Sequence, residues 1–136
     1  FYKIIMEDNI KININKTFDL LNNSYSPYSK FKVASAVVTK KNNFYGGVNV
    51  ENISYGLTMC AERSAIFNMI TNLEDDDKID YVIIVSNCTN KLFPCGACLQ
   101  VFSEFLNKDT KIIISCSDKK INYFKLQDFL PNIFKI

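Results

Sequence analysis

Tyr81-Val82-Ile83-Ile84-Val85-Ser86 is a nearly unbroken apolar run of strand length. A strand without polar alternation is buried on both faces, so it needs a covering layer on each side. The neighbouring sequence supplies candidates. Upstream, residues 60–72 place Ala61, Ala65, Ile66, Met69 and Ile70 on one helical face, and downstream, residues 95–106 read as a second helix entered after Pro94. Residues 111–116 then repeat the buried-strand pattern.

Working outward, residues 6–22 carry Ile10, Ile14, Phe18 and Leu21 as a helical stripe that Asn22-Asn23-Ser24 ends. Tyr25-Ser26-Pro27-Tyr28-Ser29 is a Pro-containing turn, followed by a strand over residues 31–39, a polar hairpin turn over 40–43 and a return strand over 44–49. Gly46-Gly47 within that return strand predicts a bulge or a close backbone approach. Residues 49–58 form a polar loop, and the acidic run from Glu74 to Asp77 is expected to be solvated. Residues 117–120 turn into a short edge strand at 121–124, and residues 126–130 form a last turn closed by Pro131. A hairpin followed by strands joined through helices predicts an α/β protein: a three-layer α/β/α sandwich around a mixed five-stranded sheet, with residues 1–136 as one domain.

Composition narrows the chemistry. The chain of 136 residues is 48% hydrophobic and 22% charged, and a chain of this size buries roughly two-thirds of its unfolded surface. No apolar run approaches the roughly 18 residues that span a membrane. The residues after Phe1 show no charged segment leading into an apolar one, so a cytoplasmic, reducing setting is expected. Five cysteines, two of them a Cys-x-x-Cys pair, then point to metal or redox chemistry before disulfides. There is no histidine, which excludes an imidazole base and any histidine-ligated metal. The net charge of +2 comes with lysines spread along the chain and a single arginine, Arg63. That distribution gives no basic stripe for nucleic acid.

Two stretches carry the candidate chemistry: Thr58-Met59-Cys60-Ala61-Glu62-Arg63-Ser64-Ala65 and Pro94-Cys95-Gly96-Ala97-Cys98. Cys95 and Cys98 share one face of a first helical turn, and Cys60 opens its own helix. If the two helix N-termini converge, three sulfurs meet, a set suited to tetrahedral Zn2+. Three ligands leave the fourth position for water, whereas a fourth protein ligand, for which Cys88 is the rival, would close the site into a structural one. Cys88 and Cys116 otherwise read as thiols without a role. Three thiolates on a divalent ion leave one net negative charge, which helix N-termini and hydrogen bonds from Arg63 would offset. Glu62, two residues past Cys60, is placed to move protons beside the open position.

Cys60-Ala61-Glu62-Arg63 with Pro94-Cys95-Gly96-Ala97-Cys98 resembles the signature of the zinc-dependent cytidine deaminases, in the small homotetrameric form with three cysteine ligands. The likeness extends over nearly the whole chain, through residues 25–31, Val48-Asn49-Val50-Glu51-Asn52, and Leu130-Pro131 with Phe134. The resemblance implies hydrolytic deamination of cytidine and deoxycytidine in pyrimidine salvage, by attack of an activated water at C4 with Glu62 carrying protons to N3 and the leaving ammonia. It further implies that Asn49 and Glu51 bind the ribose hydroxyls, that Phe31 packs on the pyrimidine, and that backbone groups at Ala61 and near Cys95 hold the amide edge of the base. Tyr55 and Phe134 match positions that complete a neighbouring subunit's pocket. The implied partners are thus a small nucleoside and identical subunits, with neither nucleic acid nor membrane.

Two departures from the family pattern stand out. Leu99 occupies a position where the family usually has arginine, and Val33-Ala34-Ser35-Ala36 lacks a glycine. The second is shared with the blasticidin S deaminases, but those do not match this chain at Glu51, Asn52, Tyr55 and Arg63. Deamination of another cytosine compound and a non-catalytic zinc-stabilised domain are the competing readings.

Overall fold

The computed structural model describes residues 2–89 and 92–134, with side chains from Glu7 onward. Phe1 lies outside the described residues. Five strands form one mixed sheet: β1 (Val33–Thr39), β2 (Phe44–Val48), β3 (Ile79–Ser86), β4 (Lys111–Ser115) and β5 (Ile121–Lys125), in the order β2-β1-β3-β4-β5. The β3–β4 pair is parallel, with Val85 opposite Ser115, and the other neighbours are antiparallel. Helix α1 (Tyr2–Leu20) leads into a short 3-10 turn over Leu21–Asn23. It is followed by α2 (Ala61–Asn72), α3 (Gly96–Phe105) and the single turn α4 (Leu126–Phe129).

Two apolar clusters, one on each face of the sheet, make the three layers. Ile10 and Ile14 of α1 pack on Ala34, Ala36, Val38, Tyr81, Ile83 and Val85. Ala61, Ala65, Ile66 and Met69 of α2 and Phe102 of α3 pack on Val37, Val82, Ile84, Ile112 and Ile114. Adjacent residues of β3 therefore serve opposite cores, which explains why its sequence shows no alternation. The expected three-layer α/β/α sandwich with a mixed five-stranded sheet is the observed fold.

Local differences from the sequence reading have physical causes. The stripe of α1 includes two buried polar residues that periodicity passes over, Asn13 and Thr17. Asn13 Nδ2 donates to the Tyr81 hydroxyl at 2.9 Å and Thr17 Oγ1 donates to the Asn13 carbonyl at 2.7 Å, so both are satisfied without water. Ile70 lies off the buried face of α2 and is half exposed. Asp77, read as part of a solvated run, is only 8% exposed. Its carboxylate accepts from Asn43 Nδ2 at 3.0 Å and from the Lys78 and Lys41 amides at 2.9 and 3.3 Å, pinning the β1–β2 hairpin to the start of β3.

The glycine pair resolves into a close approach. The β1–β2 register runs unbroken through Gly46 and Gly47. A Cβ on Gly47 would stand 2.3 Å from the Ala65 backbone nitrogen, so the absence of a side chain lets α2 lie directly against β2. The register shift in β1 falls instead between Val38 and Thr39, opposite β3.

Candidate active site

Cys60 and Cys95 are the N-cap residues of α2 and α3, both in extended backbone conformation. The Cys60 carbonyl accepts from the Ser64 amide at 3.1 Å and the Cys95 carbonyl from the Leu99 amide at 2.9 Å, so each helix starts from a cysteine whose side chain is left to face the other. A serine or aspartate at an N-cap would turn back onto its own helix. The thiols instead meet across the gap, with Cys60 Sγ 3.9 Å from Cys95 Sγ and Cys95 Sγ 3.6 Å from Cys98 Sγ.

These separations can be compared with a metal's requirement. Tetrahedral zinc with Zn–S bonds of about 2.3 Å sets its sulfurs roughly 3.8 Å apart. The donor set therefore fits zinc before any rearrangement, and its three donor atoms all lie within 4.8 Å of one another. Cys88 is not in the group. Its sulfur lies 3.1 Å from Cys116 Sγ, so the cluster holds three thiols, as expected of a site that keeps a position for water.

Charge at the cluster is arranged around Cys60. Hydrogen bonding with Cys98, reinforced by Arg63, holds the Cys60 thiol down to about 5 despite partial burial. Arg63 Nη2 donates to Cys60 Sγ at 3.4 Å. Hydrogen bonding with Cys60, followed by burial, raises the Cys98 thiol far above the ordinary thiol range. A cation held by the three sulfurs is matched by the positive ends of two helices and by Arg63.

Glu62 sits in the first turn of α2, 5% exposed, at the base of a cleft. Burial, followed by the negative charge of Cys60, pushes its carboxyl up to about 7. A divalent cation on the thiols would oppose that rise. The cleft, of about 260 Å³, is bordered by Cys60, Ala61, Glu62 and Cys95 at its floor and by Phe31, Asn49 and Glu51 along one side. Seven residues singled out from the sequence are thus brought to one cavity.

The polar side of the cleft is built on two isolated bridges. Val50 pairs with Met59 through amides at 2.9 Å each way, and Glu51 N donates to the Tyr25 carbonyl at 2.8 Å. Asn49 Oδ1 accepts from Val33 N at 2.9 Å and from Ser24 Oγ at 2.5 Å, while Nδ2 donates to the Phe31 carbonyl at 2.8 Å. One amide hydrogen of Asn49 remains for a ligand. The Glu51 carboxylate accepts from the Tyr28 amide at 2.9 Å and from the Ser29 amide and hydroxyl. Chiefly because of the Ser29 hydroxyl, its pKa falls below the ordinary carboxylate range, so it stays an anionic acceptor.

Sequence reading missed the remaining wall. Leu92 and Phe93 border the cleft, and the Phe93 ring is held edge-on by Phe124 at 5.8 Å and tilted against Phe129 at 5.7 Å. Their place just before Pro94-Cys95 was the available signal. Of the expected substrate-binding residues, Tyr55 and Phe134 do not border this cavity. Tyr55 borders an adjoining cleft with Tyr28, Ser29 and Asn52 that shares Glu51 and Thr58 with the first, and it is 80% exposed. Phe134 is 72% exposed and borders neither cleft.

Fold and site together define a class: three-layer α/β proteins with a three-thiolate metal centre and a buried carboxylate at two converging helix starts. Residues 10–116 match the family model described as the cytidine and deoxycytidylate deaminase zinc-binding region. A cytidine deaminase of Mycoplasma genitalium is 38% identical over 131 residues, covering 96% of this chain and 98% of that protein. One from Mycoplasma pneumoniae is 40% identical over 122 residues, covering 89% and 90%. The crystal structure of cytidine deaminase from Burkholderia pseudomallei superposes with a TM-score of 0.84 at 31% identity, covering 91% of this chain and 98% of that one. This chain belongs to the cytidine and deoxycytidylate deaminase family. The family binds zinc, and the Cys60, Cys95 and Cys98 cluster is able to hold the ion.

Proposed function

We propose that this chain is a zinc-dependent cytidine deaminase that hydrolyses the exocyclic amine of cytidine and deoxycytidine, giving uridine and deoxyuridine in pyrimidine salvage. The observation that carries this reading is Glu62, buried against three thiols at the floor of a cleft whose side offers Asn49, Glu51 and Phe31. Cys60, Cys95 and Cys98 would hold zinc. When bound, the ion supplies Lewis-acid activation of a water near neutral pH.

The chain's own residues do the rest. Phe31 flanks the pyrimidine and the backbone at Ala61 and Cys95 faces its amide edge. Asn49 donates its remaining amide hydrogen, and Glu51 accepts, at the ribose hydroxyls. Glu62 takes up a proton at its carboxylate, delivers it to N3 and then serves the departing ammonia. Arg63 holds the Cys60 thiolate by a charge-assisted hydrogen bond. A ribose with both hydroxyls free suits this side of the cleft, which favours nucleosides over polynucleotides.

The domain is the whole of residues 1–136, and it works as a homotetramer in the cytoplasm. The exposure of Tyr55 and Phe134 supports the assembly, since large apolar side chains so placed are suited to completing a neighbour's cavity. Light scattering should return four times the 15.6 kDa chain mass; a monomeric mass with full activity would exclude shared sites. No helix among the described residues is long and apolar enough to cross a membrane.

The decisive assay follows the loss of cytidine absorbance with zinc-loaded protein. Glu62→Gln should lower turnover by about 10²–10⁴-fold, the range for loss of a general acid–base, while zinc per chain is retained. Equal rates for Glu62→Gln and the parent would sink the proposal.

A further inference from the structure

Two thiols stand apart from the zinc cluster. Cys88 follows β3 and Cys116 follows β4, and their sulfurs are 3.1 Å apart. That separation is shorter than either of those measured within the cluster, 3.9 and 3.6 Å. A disulfide requires about 2.05 Å, so closure asks each sulfur to move about half an ångström. The backbones are already in place for it. Parallel pairing sets Val85 opposite Ser115, and the Cys88 carbonyl accepts from both the amide and the hydroxyl of Ser117, at 3.0 and 2.7 Å. The Cys88 amide in turn donates to Ser86 Oγ at 3.1 Å.

We propose that Cys88 and Cys116 form a reversible disulfide, making the ends of β3 and β4 a redox-modification site separate from the zinc cluster. Both residues are thiols in this structure, and the oxidant is a low-molecular-weight disulfide such as oxidised glutathione. Cys88 is the more exposed of the two residues and Cys116 is only 6% exposed, so Cys88 is assigned the first step. The Cys88 thiolate attacks one sulfur of the small disulfide, forming a mixed disulfide and releasing one small thiol. Cys116 then loses its proton and attacks the Cys88 sulfur, closing the protein disulfide and releasing the second small thiol. Two protein thiols are oxidised and one small disulfide is reduced. Burial, followed by the hydrogen bond with Cys88, pushes Cys116 up to about 11, consistent with its acting second.

The bond has a structural consequence. Cys88 begins the segment that leads to Leu92, Phe93 and Cys95, so closing it ties that side of the cleft to the end of β4. It also closes a loop between positions 28 apart, which should raise the melting temperature on the order of 5–10 °C.

The test uses zinc-loaded protein incubated with oxidised glutathione, followed by intact mass, peptide mapping, zinc content and thermal unfolding. The expected result is loss of two hydrogens per chain, a single Cys88–Cys116 crosslinked peptide, unchanged zinc, and a rise in melting temperature that dithiothreitol reverses. Cys88→Ser should abolish the mass loss and the shift, and because Cys88 is half buried this variant does not disturb the core. A bridge mapped to Cys60, Cys95 or Cys98, a glutathione adduct that stays on Cys88, or the same mass loss in Cys88→Ser would each overturn the proposal. None of these readouts depends on deaminase activity, so the disulfide stands or falls apart from the functional reading.

Discussion

Arg63 donates from Nη2 to Cys60 Sγ at 3.4 Å, while Leu99, directly after Cys98, packs into the core and offers no second cation. Three thiolates on one divalent ion carry excess negative charge, so Arg63 should matter more to metal retention than an exposed ion pair would. Arg63→Ala is expected to weaken zinc binding about 10- to 100-fold in a chelator competition, the usual cost of losing a group that supports metal ligands. Arg63→Lys should recover only part of that, because an ammonium lacks the planar fork. Asp77 makes a different prediction. Burial would raise its pKa, but hydrogen bonds from Thr39, Asn43 and the Lys41 and Lys78 amides outweigh it and the pKa is lowered. A depressed folded-state pKa contributes stability above the unfolded value of about 3.9 and loses it as pH falls through the lower folded value. Acid unfolding curves of Asp77→Asn should therefore be flatter below about pH 4 than those of the parent; parallel curves would show that the carboxylate contributes nothing. Asp77 also marks a limit of sequence reading. An acidic run looks solvated, and the partners that bury its last member come from the hairpin more than thirty positions earlier. The three cysteines and Glu62 were legible because their spacing on helix starts encodes their convergence. Leu92, Phe93 and the hydroxyls of Ser24 and Ser29 were not, because their roles exist only once β5, α4 and the bridges at Val50 are assembled.

Helix α2 carries Cys60 at its cap and Glu62 in its first turn, so its seat on the sheet fixes the site. That seat is Gly47. A methyl group there would meet the backbone of α2, at 2.3 Å from Ala65 N, 2.7 Å from Ser64 C and 2.8 Å from Ala61 O. None of these atoms can swing aside. At Gly46 the nearest atom is Leu20 Cδ1, at 2.4 Å, the far end of a flexible side chain. Gly47→Ala should consequently destabilise the protein by about 1–3 kcal/mol or more and displace the floor of the cleft, whereas Gly46→Ala should cost under about 1 kcal/mol. Denaturant unfolding together with zinc stoichiometry would check the contrast, and equal losses for the two variants would show that α2 is not seated by Gly47. The sequence announced a special glycine pair without saying which elements meet there. Strand and helix identities followed from period and length, and α2, α3, β3 and β4 were legible on that basis. Which face of α2 would be buried was less so: Ile70 belongs to the apolar pattern but is half exposed, next to the buried Met69.

At the scale of the molecule, the metal and the fold are separable contributions. The two clusters on either face of the sheet contain Ile66, Met69, Phe102, Ile83, Ile84, Ile112 and Ile113, all at most 1% exposed, and none depends on the thiols for its burial. At about 25 cal/mol per Å² of apolar surface, burial of this kind is the main favourable term in folding. Zinc joins only the N-termini of α2 and α3, adding binding energy to a sandwich that is already closed. Its stabilisation follows mass action, about 4 kcal/mol when free zinc exceeds the dissociation constant a thousandfold. Stripping zinc with a chelator should therefore lower the melting temperature and abolish turnover, yet leave the helical and sheet circular dichroism intact and unfolding cooperative. Re-adding zinc should restore both. If the stripped protein instead lost its secondary structure, the three thiolates would be part of the folding core in the manner of a small metal-nucleated domain, and the division between a self-sufficient sandwich and a metal-dependent site would have to be abandoned.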